Sequence, residues 1–331
     1  MGKASIIIVS YNGLHETTAP CLRSIFDKTT VADYEVVVVD NHSSDGTPEF
    51  LTELAKGESR LKVVLNSTNR GFAGGNNDGI RAAEGDFLVM LNSDTLVTKG
   101  WLEGLTVFLR NNPSAGLVGP VSNAVGNEQR IHTVGRTPAE ILEEGEVWTS
   151  RSMGDFFESD RLGFFCIAAR REAVEEIGPL DEGFGLGFYE DDDYCIRVRM
   201  AGYKLICLED VFVYHRGSAV FGKRPESTKS LVKRNKAILE KKFGIKYRPR
   251  HPRDRQLDLV ESYLSRMGGG SDVSRLACKA GNRLRAAEES MPRGYVKRYR
   301  FRRRIREIRD ALERFKAPEC APALPCDVEG S

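Results

Sequence analysis

No apolar run in the 331-residue chain approaches the ~18 residues of a membrane-spanning helix, so none is expected. The seven cysteines (Cys21, Cys166, Cys195, Cys207, Cys278, Cys320 and Cys326) are odd in number and scattered, without a Cys-x-x-Cys pair. That argues against a disulfide framework or a zinc cage. Neither sign of charge dominates, with 49 Lys and Arg against 47 Asp and Glu. No internal repeat is present. The opening Met1-Gly2-Lys3 passes straight into "ASIIIVSYN", a run too short for a signal peptide and not followed by a small-residue cleavage site. The expected location is the cytoplasm.

What the chain does contain is an alternation of two periods. "SIIIVSY", "YEVVVVD" (Tyr34 to Asp40), "LKVVLN" and "DFLVML" (Asp86 to Leu91) are short continuous apolar runs, read as buried strands. Between them lie helical patterns at Leu22, Ile25 and Phe26, at Thr47 to Gly57, and at Asn76 to Gly85. Strand and helix in alternation with short connections predict an α/β fold around a mostly parallel sheet. Ligands of such sheets lie at the carboxyl ends of the strands. Three of the runs end there in polar groups: Tyr11-Asn12, Asp40-Asn41 and Asn92-Ser93-Asp94. Residues 121–165 show few periodic signals and read as loops with one short helix. Beyond Arg248, "RPRHPRDR" reads as a linker, "GGGS" (Gly268 to Ser271) breaks the chain again, and 317–331 is Pro-rich and expected to be disordered.

Each polar cluster has a plain and a functional reading. Asp94 caps a turn, or holds a divalent cation through carboxylate oxygen. Asp40 closes an Asx-turn, or accepts a hydrogen bond from a base or ribose. "NRGFAGGNNDG" lacks both G-K-[ST] and G-x-G-x-x-G; its glycines at 71, 74, 75 and 79 would allow close backbone approach, and Arg70 could meet phosphate. The four acids Glu190 to Asp193 suit the positive end of a helix. Crowding them together would also raise the pKa of one, as a general base needs. His215 closes "VFVYH" as an edge histidine or as a ligand.

Their order along the chain resembles the family 2 glycosyltransferases of the GT-A fold, in particular the rhamnosyltransferase-like members of bacterial surface-polysaccharide assembly. The motifs that carry the likeness are "SIIIVSYNG", "VVVVDNHSSDGT", "NRGFAGGNNDGI", "DFLVMLNSDT", "GPLDEGFGLGFYEDDDYCIRVRMAGYKL" and "VYHRGS". They imply a GT-A domain over 1–247, a linker and basic helical extension over 248–316, and a tail over 317–331. By the resemblance, Tyr11 lies against the nucleotide base and Asp40 bonds it, while Arg70 and Asn77 shape the nucleotide pocket. Asn92, Ser93 and Asp94 form the D-x-D-type motif, with Asp94 on Mg²⁺ or Mn²⁺ and His215 completing that site. Asp191 is the catalytic base, paired with Glu190. Asn92 departs from the commoner Asp, which puts more of the metal on Asp94.

The implied reaction is inverting transfer of a sugar from a dTDP-, UDP- or GDP-linked donor to a hydroxyl of a glycan or lipid-linked acceptor. The rival reading is a catalytically silent nucleotide-sugar-binding partner in a glycan-assembly complex. Residues 293–316 hold eleven Lys or Arg against three acids, with an apolar stripe at Phe301, Ile305, Ile308, Leu312 and Phe315. Such a helix suits an anionic membrane at its inner face, or packs its stripe on the catalytic domain or a second copy in a homo-oligomer. A nucleic-acid partner is not expected, because aromatic interleaving is sparse and no binding motif occurs.

Overall fold

A computed structural model describes residues 2–30, 33–151, 154–217, 225–270 and 272–315. The expected tail at 317–331 lies outside the described residues. The chain runs β1 (Ala4–Ser10), α1 (Ala19–Lys28), β2 (Tyr34–Asp40), α2 (Thr47–Gly57), β3 (Leu61–Leu65), α3 (Gly71–Ala82), β4 (Phe87–Asn92), β5 (Thr95–Val97), α4 (Trp101–Asn111) and β6 (Ala115–Val121). It continues with α5 (Pro138–Ser150), β7 (Phe156–Ser159), β8 (Cys166–Arg170), α6 (Arg171–Ile177), α7 (Glu190–Met200), β9 (Lys204–His215), α8 (Pro225–Phe243), α9 (Pro252–Gly268), α10 (Val273–Glu288) and α11 (Tyr295–Glu313).

The strands form one mixed sheet in the order β3-β2-β1-β4-β8-β6-β9-β5, with β7 also paired to β9. The β3-β2-β1-β4 half is parallel, and β8 joins it antiparallel. Side chains alternate across the pleat. Ile6, Ile8, Val36, Val38, Val89 and Leu91 therefore pack on one face with residues of α1, α2 and α4, whereas Ile7, Val37, Leu88 and Met90 pack on the other. Register brings the polar ends together. Ser10 stands opposite Asp40, and Val9 opposite Asn92.

Three local expectations are revised. Helix α3 starts at Gly71 rather than Asn76. Its glycines serve packing: a Cβ on Gly79 would lie 2.2 Å from Ile7 Cγ2, and one on Gly75 would lie 2.7 Å from Val9 Cγ1. Close approach of helix to strand outweighs glycine's weak helix propensity. Residues 121–165 hold a three-turn helix, α5, started by a reciprocal Thr137–Glu140 capping box, and the strand β7. The expected linker "RPRHPRDR" carries the start of α9, with Pro252 in its first turn and His251 as its cap.

Helices α9, α10 and α11 share an apolar cluster that includes Leu257, Leu276, Phe301, Ile305 and Ile308. The stripe on the basic helix is thus spent on intramolecular packing. Helix α10 is also tied to the sheet by buried charge. Arg283 and Lys279 both pair with Glu209 on β9, at 2.6 and 3.1 Å, and Lys279 reaches Asp155 at 2.8 Å.

Candidate active site

The turn Ser93–Asp94 joins two strands that part company. β4 continues the central sheet, while β5 pairs antiparallel with the end of β9 through Thr95 and His215. Thr95 Oγ1 donates to Asn92 O at 2.7 Å and closes the turn. The Arg216 amide donates to Asp94 O at 2.9 Å. Asp94 Oδ1 consequently lies 3.3 Å from His215 Nε2. Nδ1 of the same ring donates to Ala124 O at 2.6 Å, which fixes the proton there and turns Nε2 toward Asp94. Asn123 clamps the strand end on both sides, accepting from His215 N and donating to His215 O. Burial disfavours the imidazolium, but the hydrogen bond and charge of Asp94 outweigh it and hold the His215 pKa above its ordinary value.

The segment 161–165 touches both this pair and the acidic quartet. The Phe165 ring stacks on His215 with centroids 5.4 Å apart, and its carbonyl accepts from Asn92 N. Four residues earlier on the same segment, Arg161 Nη1 lies 3.7 Å from Asp192. Helix α7 packs back against β9 across a short turn, so its first residues face the edge at which β9 ends. Asp94, His215 and the quartet thus border one edge of the sheet.

The quartet divides into two pairs. Asp193 is fully buried between Arg197, at 2.9 Å, and Lys242, at 2.6 Å. Asp192 accepts from Tyr247 Oη at 2.5 Å and faces Arg161. Glu190 and Asp191 have no ion pair among the described residues, and Glu190 Oε2 is buried without a partner. Burial, then the neighbouring acids' charge, pushes both carboxyls well above the usual range. Phe188 and Tyr189 enter the helix with φ of 70° and 74°, a left-handed conformation that costs bulky residues energy and turns the chain sharply before Glu190.

The remaining expected residues fall into two groups. At the ends of β1 and β2, Asn12 and Ser43–Ser44 bond across, and Tyr11 is left 41% exposed beside them. Asp40 is 2% exposed; Oδ2 accepts from Ser43 N at 3.0 Å, as an Asx-type turn would have it, while Oδ1 is buried without a partner. Asn92 ends β4, and Ser93 lies in the turn beside Asp94. Arg70 and Asn77 instead share Glu182. Arg70 Nη2 meets it at 2.9 Å, and its other amino group meets Asp78. The Asn77 amide bonds Leu180 O, Leu180 N and Glu182. Both side chains fasten the 180–182 loop to α3. Asn123, Arg161 and Tyr247 were not read from the sequence. Asn123 lies two residues beyond the end of β6, a polar residue past a strand end as at Asp94. Arg161 and Tyr247 have no local signal, because their partners come only from tertiary packing.

A sheet with its polar strand ends gathered on one edge, next to a carboxylate–histidine pair, is the frame of a GT-A-type glycosyltransferase. Residues 5–178 match the family described as Glycosyl transferase family 2, and the chain belongs to that family. It is 28% identical over 214 residues to Glycosyltransferase AglE of Haloferax volcanii, covering 64% of this chain and 66% of that protein. It is 36% identical over 111 residues to the Escherichia coli UDP-Glc:alpha-D-GlcNAc-diphosphoundecaprenol beta-1,3-glucosyltransferase WfgD, covering 33% of this chain and 42% of that one. The chain therefore spans less than two thirds of the length of these curated relatives. Among solved structures, the mannosyltransferase PcManGT of Pyrobaculum calidifontis, in complex with GDP-Man and Mn²⁺, aligns with a TM-score of 0.55 at 20% identity, over 95% of this chain and 86% of that one. GalNAc-T7 with UDP, GalNAc and Mn²⁺ aligns with a TM-score of 0.53 at 19% identity, over 65% and 44%. These two likenesses define the GT-A fold.

Proposed function

We propose that this chain transfers a hexosyl or deoxyhexosyl group, with inversion, from a nucleoside diphosphate sugar to a hydroxyl of a glycan or lipid-linked acceptor in polysaccharide assembly. The observation that carries the reading is the Asp94–His215 pair at the strand ends. Its donor set fits a divalent cation such as Mn²⁺ or Mg²⁺. One carboxylate oxygen and one imidazole nitrogen come from the chain, and no third His, Cys, Asp or Glu joins them among the described residues. Phosphate oxygens and water would complete the coordination. When bound, the cation supplies Lewis-acid stabilisation of the leaving diphosphate.

The chain's own groups do the rest. The unpartnered Oδ1 of Asp40 is a ready acceptor for an N–H of the base, and the exposed ring of Tyr11 offers it a flat apolar surface. Asp191, lacking an ion-pair partner, takes the acceptor's hydroxyl proton as the oxygen attacks opposite the leaving group. Burial, and then the charge of the neighbouring Asp192, keeps that carboxyl's affinity for a proton high. The GDP-Man and UDP of the aligned structures and the lipid-diphosphate substrate in the WfgD name support the donor and acceptor classes proposed. The rhamnosyl-type subgroup rests on the motif resemblance.

General-base removal typically costs ~10²–10⁴ in rate. Asp191→Asn should lower turnover on that scale, measured as nucleoside diphosphate release with Mn²⁺, while donor-induced thermal stabilisation is kept. Near-normal turnover in that variant overturns the assignment of the base. Loss of donor binding in Asp94→Ala and His215→Ala, read by the same thermal shift, tests the cation site separately.

A further inference from the structure

The apolar stripe of α11 is buried, yet its first two turns are not. Every residue from Arg293 to Arg300 is exposed. Tyr295 is 87% exposed, Val296 60% and Tyr299 62%, an apolar group with no cover among the described residues. Positions 295, 299, 302, 303 and 306 recur at spacings of three and four, so the two tyrosines and Arg302, Arg303 and Arg306 share the helix face opposite Phe301 and Ile308. Arg303 pairs with Glu307, and Arg304 is held by Asp258 and Glu261. Lys297, Arg298, Arg300, Arg302 and Arg306 have no ion-pair partner among the described residues.

We propose that the outer face of α11, from Tyr295 to Arg306, docks on an anionic lipid bilayer. Tyrosine suits the headgroup level, where its ring is buried and its hydroxyl stays wet. Unpaired cations beside it are attracted to anionic lipids, each worth ~1 kcal/mol near the surface. A second copy of this chain would set one cationic face against another. Nucleic acid would use the charge but gives no reason for Val296 and the all-round exposure. No helix among the described residues is long and apolar enough to cross a membrane, so the attachment is in the interface plane. The inference uses neither the cation site nor the base, and stands apart from the catalytic reading.

The test is co-sedimentation of the full chain with vesicles of phosphatidylcholine alone and of phosphatidylcholine mixed with phosphatidylglycerol. Binding is expected only to the mixed vesicles and should weaken with salt. Arg302→Gln/Arg306→Gln should lower the partition coefficient about thirtyfold, from ~1 kcal/mol for each cation. Tyr295→Ser/Tyr299→Ser should lower it as well, with an unchanged circular dichroism spectrum and melting temperature in both variants. Equal binding to the two kinds of vesicle, no binding by the unaltered chain, or variants that bind like it each overturn the proposal. So does tighter binding to a single-stranded oligonucleotide than to the mixed vesicles, or a tyrosine-dependent dimer in place of vesicle binding.

Discussion

At the scale of single residues, the acidic quartet shows how adjacent carboxylates acquire different properties. Asp193 and Asp192 face cations or a phenol, whereas Glu190 and Asp191 face burial and the charge of the next acid along the helix. The shift has a definite sign. A base must be ionised to work, so a raised Asp191 pKa places the acid limb of the rate profile above the usual carboxylate range. Asp192→Asn removes a negative neighbour that raises the Asp191 pKa. The limb should then move to lower pH, as read from kcat against pH. An unmoved limb would separate Asp191 from the rate-controlling titration. The four acids were visible in the sequence as one run. Which of them would be neutralised was not, because Lys242, Tyr247 and Arg161 arrive from distant segments.

At the scale of elements, the glycine-rich stretch is the instructive case. The glycines of "GFAGGNNDG" suggest close backbone approach to a ligand, and in the fold they lie in α3 and press it onto β1. Gly79→Ala would force a methyl group into Ile7, an overpacking cost of about 1–3 kcal/mol. Thermal melts should show a clear loss. Gly57→Ala, at the end of α2 with nothing within 4 Å of the added carbon, should be neutral or slightly stabilising. Equal effects at the two positions would contradict the packing account. The strands were legible for a simpler reason. Runs such as "IIIV" and "VVVV" are too short for the observed helices and are β-branched throughout, so burial on both faces is their natural state.

At the scale of the whole molecule, the C-terminal helices are joined to the sheet by charge as well as by apolar packing. Glu209 is buried with Arg283, Lys279 and Tyr263 around it. Burial alone would raise its pKa, but the two cations outweigh that and lower it. Arg283→Met leaves part of that charge uncompensated and should cost ~3 kcal/mol in denaturant unfolding, since breaking a buried pair costs about 3–5 and Lys279 remains. Asp155 is buried among Lys279, Arg266 and Arg275; burial would raise its pKa, but the three cations outweigh that and depress it to about 2 from 3.8. A depressed carboxyl pKa stabilises the fold above its unfolded value, and that stabilisation is lost as pH falls through the folded one. The unfolding midpoint should therefore drop between pH 3.8 and about 2, and less steeply in Asp155→Asn.

Sequence alone determined the strands, their polar ends, the family likeness and the order of the candidate residues, because hydrophobic period and local motif are written in adjacent positions. Only the tertiary structure decided which acids are neutralised, that the glycines are spent on helix–strand contact, and that the apolar stripe of α11 is turned inward. Those outcomes depend on which distant side chain arrives opposite, and burial and charge pairing act through space regardless of separation along the chain.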